Sequence, residues 1–240
     1  MNSKGKLYLI PNTLGSEDLN AILPQGNLAI IANLKTFIVE DLRTARRFLS
    51  KAGLSGQIEH LQFFLLNEHT KPGEITDYLS VTSKGEDIGL LSDAGVPCVA
   101  DPGADIVARA QQANIQVVPL VGPSSIVMAL MASGFNGQNF AFVGYLPRER
   151  SERNARIKEL ETRVYKENQT QIFIEAPYRN NQMFESLLAQ CNSETKICVA
   201  CDISLSSEYI VSRSTADWKK LKTKPDLHKR NTVFLVYKSM

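Results

Sequence analysis

The sequence predicts an α/β protein of two domains, the first built on a mostly parallel sheet and the second on a mixed one. Three observations carry this prediction. The 240 residues exceed a common single domain and fall short of three. The first half alternates short apolar, β-branched runs with helical patterns, as a doubly wound sheet requires. The second half carries consecutive strand-like runs near residues 196 to 211, which read as a hairpin and so make its sheet mixed. Apolar residues form 43% of the chain and charged residues 22%, a globular composition that can fill a core and excludes wholesale disorder.

In order, the first half places strands at Lys6 to Ile10, Leu28 to Ala32, Thr36 to Val39, Leu61 to Leu65, Asp87 to Leu91 and Ile115 to Leu120. Helices are expected at Glu17 to Leu23, Leu42 to Ala52, Gly73 to Lys84 and Gly103 to Ala113. The helix from Leu42 carries Ala45, Phe48 and Leu49 as one apolar stripe able to cover a sheet face. After Pro119 the pattern changes, which sets the expected domains at residues 1–120 and 121–240. Gly122-Pro123-Ser124-Ser125 opens a nearly all-apolar helix through Met131, expected to be buried, with proline in its first turn and serines near its cap. Strands follow at Phe140 to Tyr145, Thr170 to Glu175, Lys196 to Ile203, Ser207 to Val211 and Thr232 to Tyr237. Helices are expected near Ser151 to Tyr165, Arg179 to Cys191 and Thr215 to Leu221.

Composition also narrows the function classes. The apolar run Leu7 to Ile10 ends at Pro11, too short for a signal peptide, and no segment approaches the ~20 apolar residues that cross a bilayer. A cytoplasmic protein without membrane contact is expected. Cys98, Cys191, Cys198 and Cys201 are too few and too unevenly spaced for a disulfide framework, and reduced thiols are expected. Cys198 and Cys201 form a CxxC inside an apolar run, with no second pair at zinc-ligand spacing, so no metal is expected. His60, His69 and His228 are scattered and form no ligand pair. No GxGxxG follows the first strand and no GxxxxGK[ST] occurs, which argues against a nucleotide-binding α/β enzyme. The net charge of +2 names no partner by itself. Two basic stretches, Lys219 to Arg230 and Arg148 to Arg156, read either as solvated surface or as an RNA-phosphate footprint.

The chemistry is expected at Ser92-Asp93-Ala94-Gly95-Val96-Pro97 and its continuation to Gly103, where an apolar strand runs into small residues, glycine and proline. Ligands of open α/β sheets bind outside the carboxyl ends of strands, and glycine lets backbone approach closely there. Asp101-Pro102 reads as a helix cap followed by proline at the first helical position. Glu40, Asp41 and Asp93 lie at predicted strand ends. Each is either a proton acceptor or a carboxylate bonded to backbone amides or to Arg43.

The same stretch resembles the Ser-Asp-Ala-Gly-x-Pro…Asp-Pro-Gly signature of the ribosomal small-subunit 2′-O-methyltransferase branch of the tetrapyrrole methylases. Glu40-Asp41-Leu42-Arg43, Val118 to Ser125, Phe142 to Pro147 and Phe173 to Arg179 resemble that branch's further motifs in the same order. The resemblance implies two α/β domains with S-adenosylmethionine held in a cleft between them, a homodimer, and RNA or the small ribosomal subunit as acceptor. It implies cofactor contacts from Ser92 to Pro97, from Ser124 and Ser125, and from Ile174, Glu175, Ala176 and Pro177. The acceptor's proton would go to Asp93, Glu40 or Asp41, and Arg43, Arg148 and Arg179 would face phosphate, which suits a planar guanidinium.

Three departures stand out. The first loop reads Pro11 to Leu19 with Ser16 in place of the family's asparagine. Asp202-Ile203-Ser204-Leu205 lacks the branch's lysine, and Lys229-Arg230-Asn231 lacks its late glutamate. Two other readings stay open: methylation of a corrin or porphyrin intermediate, against which Val96 stands, and a non-catalytic cofactor-binding module of the ribosome.

Overall fold

The structure, a computed structural model, describes residues 4–67, 69–70 and 73–238, without the side chain of Thr76. The chain forms two compact units, Met1–Ser124 and Ser125–Met240.

In the first unit, strands β1 (Leu7–Ile10), β2 (Thr36–Val39), β3 (Gln62–Leu65), β4 (Ile88–Leu91) and β5 (Val117–Pro119) form one sheet in the order β3-β2-β4-β1-β5. Every pairing in it is parallel. Alternation along the strands feeds two cores, because successive side chains leave opposite faces. Phe37, Val39, Ile10 and Leu91 meet helices α1 (Gln25–Ile31) and α2 (Leu42–Leu49) on one face. Ile38, Leu7, Ile88 and Leu90 meet α3 (Ala104–Gln112) and the turns between residues 74 and 84 on the other. Gly89 lies on the first face, where an added Cβ would come within 2.6 Å of Ile10 Cδ1.

Three expectations fail here. Leu28 to Ala32 is not a strand: those residues lie in α1 and its end, where Asn27 and Ile31 are buried one helical turn apart. A short apolar run carries no period of its own, and Pro24 immediately before the helix decides the outcome. Glu17 to Leu23 forms one turn closed on Leu19 O rather than a helix. Asp18 Oδ1 accepts from Ala21 N, and Pro24 drives Leu23 away from helical backbone. Gly73 to Lys84 breaks into two short 3-10 turns, Glu74–Asp77 and Ser80–Lys84. There Thr82 Oγ1 donates to Leu79 O, a local bond that competes with the helical ladder. Gly85 closes the second turn in the left-handed region at φ 83°.

The second unit opens with α4 (Ser125–Ser133), followed by β6 (Phe140–Tyr145), α5 (Arg150–Glu167), β7 (Thr170–Ile174), α6 (Asn180–Gln190), β8 (Lys196–Cys201), β9 (Tyr209–Ser214), α7 (Thr215–Lys220) and β10 (Thr232–Tyr237). The sheet order is β6-β7-β10-β8-β9. β6 pairs with β7 in parallel and the remaining pairs are antiparallel, including the β8–β9 hairpin, so the sheet is mixed. One face packs Phe173, Val199 and Phe234 against α5, α6 and the fully buried Trp218, whose Nε1 donates to Ile197 O at 2.9 Å. α4 is not buried all round: Ile126, Ala129, Leu130 and Ser133 point inward, whereas Val127 is 48% and Met131 76% exposed.

Candidate functional site

Because all five strands of the first sheet are parallel, their carboxyl ends share one edge. Among the loops that leave it are Pro11 to Gly15 after β1, Glu40 and Asp41 after β2, Ser92 to Gly103 after β4, and Leu120 to Ser124 after β5. Asn12, which is buried, ties two of them together. Its Nδ2 donates to Asp93 O at 3.0 Å and Ser92 O at 3.3 Å, its Oδ1 accepts from Thr13 N at 2.7 Å, and its backbone N donates to Gly95 O at 2.8 Å. Sequence reasoning missed this residue; its one signal was a polar side chain directly after a strand-ending proline. Ser16, the departure in the first loop, leaves the turn closed, since Ser16 O accepts from Thr13 Oγ1 at 2.8 Å. Gly122 lies against Pro11, where a Cβ would fall 2.3 Å from the proline ring, and Asn27 Nδ2 donates to Val121 O at 2.7 Å.

The loop after β4 is held in a shape that side chains resist. Gly95 sits at φ 69°, and a Cβ there would press on Leu14 at 3.2 Å and on Pro123 O at 3.3 Å. Cys98 and Ala100 adopt φ of 68° and 63° without being glycine, a conformation that costs energy and persists only when surroundings enforce it. Asp101 supplies part of that enforcement, because its Oδ1 accepts from Cys98 N and Gly103 N, both at 2.8 Å. It therefore braces the turn ahead of α3, whose cap position is Gly103, instead of capping the helix itself. Ser92 Oγ donates to Ala94 O at 2.9 Å; Ser92, Gly95 and Pro97 are buried, Val96 half-buried and Ala94 exposed.

The three candidate carboxylates part company in this setting. Burial pushes Glu40 up to about 7, with the charges of Asp101 and Asp93 adding to the rise and the Asp93 amide, 3.3 Å from Oε1, opposing it. Asp93 is also raised, first by burial and then by the charge of Asp41, while a bond from the Asp41 amide opposes the shift. Glu40 and Asp93 thus lace the loops after β2 and β4 reciprocally. Asp41 caps α2 instead, its Oδ1 accepting from Thr44 N at 2.8 Å, and that bond with the nearby Arg43 holds its carboxyl below the usual range. Arg43 is exposed on the first turn of α2.

In the second unit, the segment Ile174 to Pro177 leaves β7 at its carboxyl end. Glu175 is buried there and is committed to Arg179, accepting from Nη2 and, at 3.1 Å, from Nε, as well as from Ala176 N at 2.7 Å. Arg179 is accordingly a fixed, paired cation, and Glu175 holds it ionised. Arg148 is exposed beyond β6, its carbonyl accepting from Arg153 Nη1 at 2.8 Å. Ser125 begins α4, and Ser124 is the last residue of the first unit.

The two departed motifs of this unit meet. Arg230 Nε pairs with Asp202 Oδ2 at 2.8 Å, and Asp202 N donates to Asn231 O at 2.8 Å. Arg230 O accepts from Asn180 Nδ2 at 2.6 Å and Lys229 N donates to Pro177 O at 3.0 Å, so the segment is fastened to the turn after β7. The basic stretches divide likewise. Arg153 is buried and donates to Ser186 Oγ, Arg156 pairs with Glu159, Arg230 with Asp202 and Lys220 with Asp217. Lys219, Lys222, Lys224, Lys229, Arg148 and Arg150 are exposed and can face a polyanion.

The thiols are structural in character. Burial pushes Cys191 to about 12 and Cys198 to about 11, which makes both poor nucleophiles at neutral pH. Among the described residues no group of three His, Cys, Asp or Glu side chains could hold a metal ion, and no helix is long and apolar enough to cross a membrane.

The chain is similar to known proteins along most of its length. Residues 7–217 match the family described as Tetrapyrrole (Corrin/Porphyrin) Methylases. The chain is 29% identical over 211 residues to the ribosomal RNA small subunit methyltransferase I of Vibrio cholerae serotype O1, covering 88% of this chain and 69% of that one. With the protein of the same name from Haemophilus influenzae it shares 30% over 234 residues, covering 97% of this chain and 78% of that one. The crystal structure of the methyltransferase CobJ superposes with a TM-score of 0.65 at 16% identity, covering 98% of this chain and 95% of that one. A uroporphyrin-III-C-methyltransferase from Thermus thermophilus gives 0.55 at 16% identity, covering 98% and 92%. With the family spanning nearly the whole chain, and relatives and fold in agreement, the protein belongs to the tetrapyrrole (corrin/porphyrin) methylases and is a methyltransferase.

Proposed function

We propose that the chain uses S-adenosylmethionine to methylate a ribose 2′-hydroxyl of small-subunit ribosomal RNA. The observation that carries the chemistry is Glu40, a carboxyl raised to about 7 and bonded to the glycine loop after β4. The acceptor is drawn from the names of the relatives in Vibrio and Haemophilus.

The residues present fit the cofactor. Gly95 and Gly122 stand where a Cβ would crowd Pro123 O and the Pro11 ring, and Glu40, Asp93 and Asp101 offer negative charge toward a cationic ligand. When bound, S-adenosylmethionine supplies a methyl group on positively charged sulfur. Ser92 to Pro97 would hold it, and Ser124, Ser125 and Ile174 to Pro177 are assigned to it on the family resemblance. Glu40 takes the proton from the ribose 2′-oxygen, being largely ionised just above neutrality and still basic enough to accept. Asp93 keeps Glu40 in place through its amide, and Asp41 serves by fixing the start of α2 rather than by touching a proton. Arg43 and Arg148, both exposed, meet phosphate, while Arg179 orients the turn after β7.

The protein works as a cytoplasmic homodimer in this reading. The exposed Val127 and Met131 on α4 support a second copy as the partner of that face. The test is transfer of labelled methyl from S-adenosylmethionine to purified small ribosomal subunits, followed by alkaline hydrolysis of the RNA. A label retained in an alkali-resistant dinucleotide is expected, since a methylated 2′-oxygen cannot attack its phosphate. A label confined to mononucleotides would place the methyl on a base and overturn the acceptor.

A further inference from the structure

We infer that Tyr145 and Tyr178 form a stacking platform for a nucleobase of the acceptor strand, an inference that rests on the RNA reading above. β6 carries one residue more than its partner allows: Phe142 pairs with Ile172 and Tyr145 with Ile174, so three steps on β6 span two on β7. Gly144 absorbs the extra residue at φ 69°, a bulge of the kind that re-aims a side chain beside a site. Tyr145 emerges 59% exposed while the next residue, Leu146, is buried at 4%.

Tyr178, in the turn after β7, is also 59% exposed. Arg179 lies with its guanidinium carbon 5.3 Å from the Tyr178 ring centroid, and Tyr145, in register with Ile174, ends β6 beside the strand that leads into this turn. Glu175, whose side chain is 1% exposed, fixes that guanidinium from below. A scattered exposed tyrosine needs no explanation, but an exposed ring held on an immobilised guanidinium, with a second exposed ring at the end of the adjoining strand, offers π-faces and a planar cation at one edge of the sheet. Single-stranded RNA is read in this way, by bases stacked on aromatic and guanidinium planes with cations tracking the backbone. Lys229, fastened to Pro177 O, and Arg148, just beyond Tyr145, supply those cations, whereas an apolar protein partner would meet uncompensated charge.

The test uses Tyr178→Trp in the full chain as a reporter, with Trp218 fully buried as constant background. Single-stranded oligoadenylate is expected to quench the new fluorescence saturably, and an abasic strand of equal length to leave it unchanged. Equal quenching by both would overturn the platform in favour of phosphate binding alone. In methyl transfer, Tyr178→Ala should raise KM for small subunits roughly tenfold, as loss of a stacked base implies, with affinity for S-adenosylmethionine unchanged and Tyr178→Phe restoring the wild-type KM. A wild-type KM in Tyr178→Ala, with methyl transfer intact, would overturn the inference and leave the proposed function standing. If the wild type transfers no methyl to small subunits, the proposed function fails, and the oligoadenylate titration decides the platform alone.

Discussion

Glu40 shows how one residue's chemistry is set by neighbours distant in sequence. A glutamate normally ionises near 4.5; here burial and two neighbouring carboxylates raise it to about 7. The folded protein therefore binds this proton more tightly than the unfolded chain. The stability cost of ionised Glu40 is absent below about 4.5, grows as pH rises, and is complete above about 7. Glu40→Gln is expected to unfold at higher denaturant than wild type at about pH 8 and at the same denaturant at about pH 4. Methyl transfer should fall at least a hundredfold, the scale of lost general-base catalysis, and a variant with full activity would remove Glu40 from the chemistry. The sequence named Glu40, Asp41 and Asp93 as strand-end acids, because an acid directly after an apolar run is legible. It could not separate them: Asp41 is a cap because α2 starts beside it, and Glu40 is half-buried because β2 and β4 are neighbours in the sheet.

At the scale of elements, legibility followed the length of the hydrophobic pattern. The hairpin of β8 and β9, strand β10 and helices α5 and α6 stand within a few residues of their expected bounds, since each carries a full period against one core. Leu28 to Ala32 was too short to show a period, and the Ser/Thr-rich stretch from Gly73 to Lys84 satisfied its backbone locally. Loop-to-loop bonds were invisible, because Asn12 and Asp93 are 81 residues apart. Asn12→Ala would strip the buried carbonyl of Ser92 and the partly buried carbonyl of Asp93 of this donor. A loss of about 1–3 kcal/mol in denaturant unfolding is expected, together with weaker cofactor binding. Unchanged stability would mean that the β1 and β4 loops keep their shape without this latch.

For the whole molecule, the alternation of strands and helices in one half and the hairpin in the other were enough to foresee a parallel sheet and a mixed one. The exposed apolar back of α4 was not foreseen, because an all-apolar helix reads as buried whichever partner covers it. In the proposed function the glycine loop after β4 holds S-adenosylmethionine. Calorimetric titration with S-adenosylmethionine tests it most directly, comparing wild type with Gly95→Arg after circular dichroism has shown that the variant is folded. Gly95 sits at positive φ against Leu14 and Pro123, so an arginine there would distort and fill the loop. The expected result is saturable binding to wild type and none to the folded variant. Equal binding by the two proteins would place the cofactor elsewhere and contradict the account.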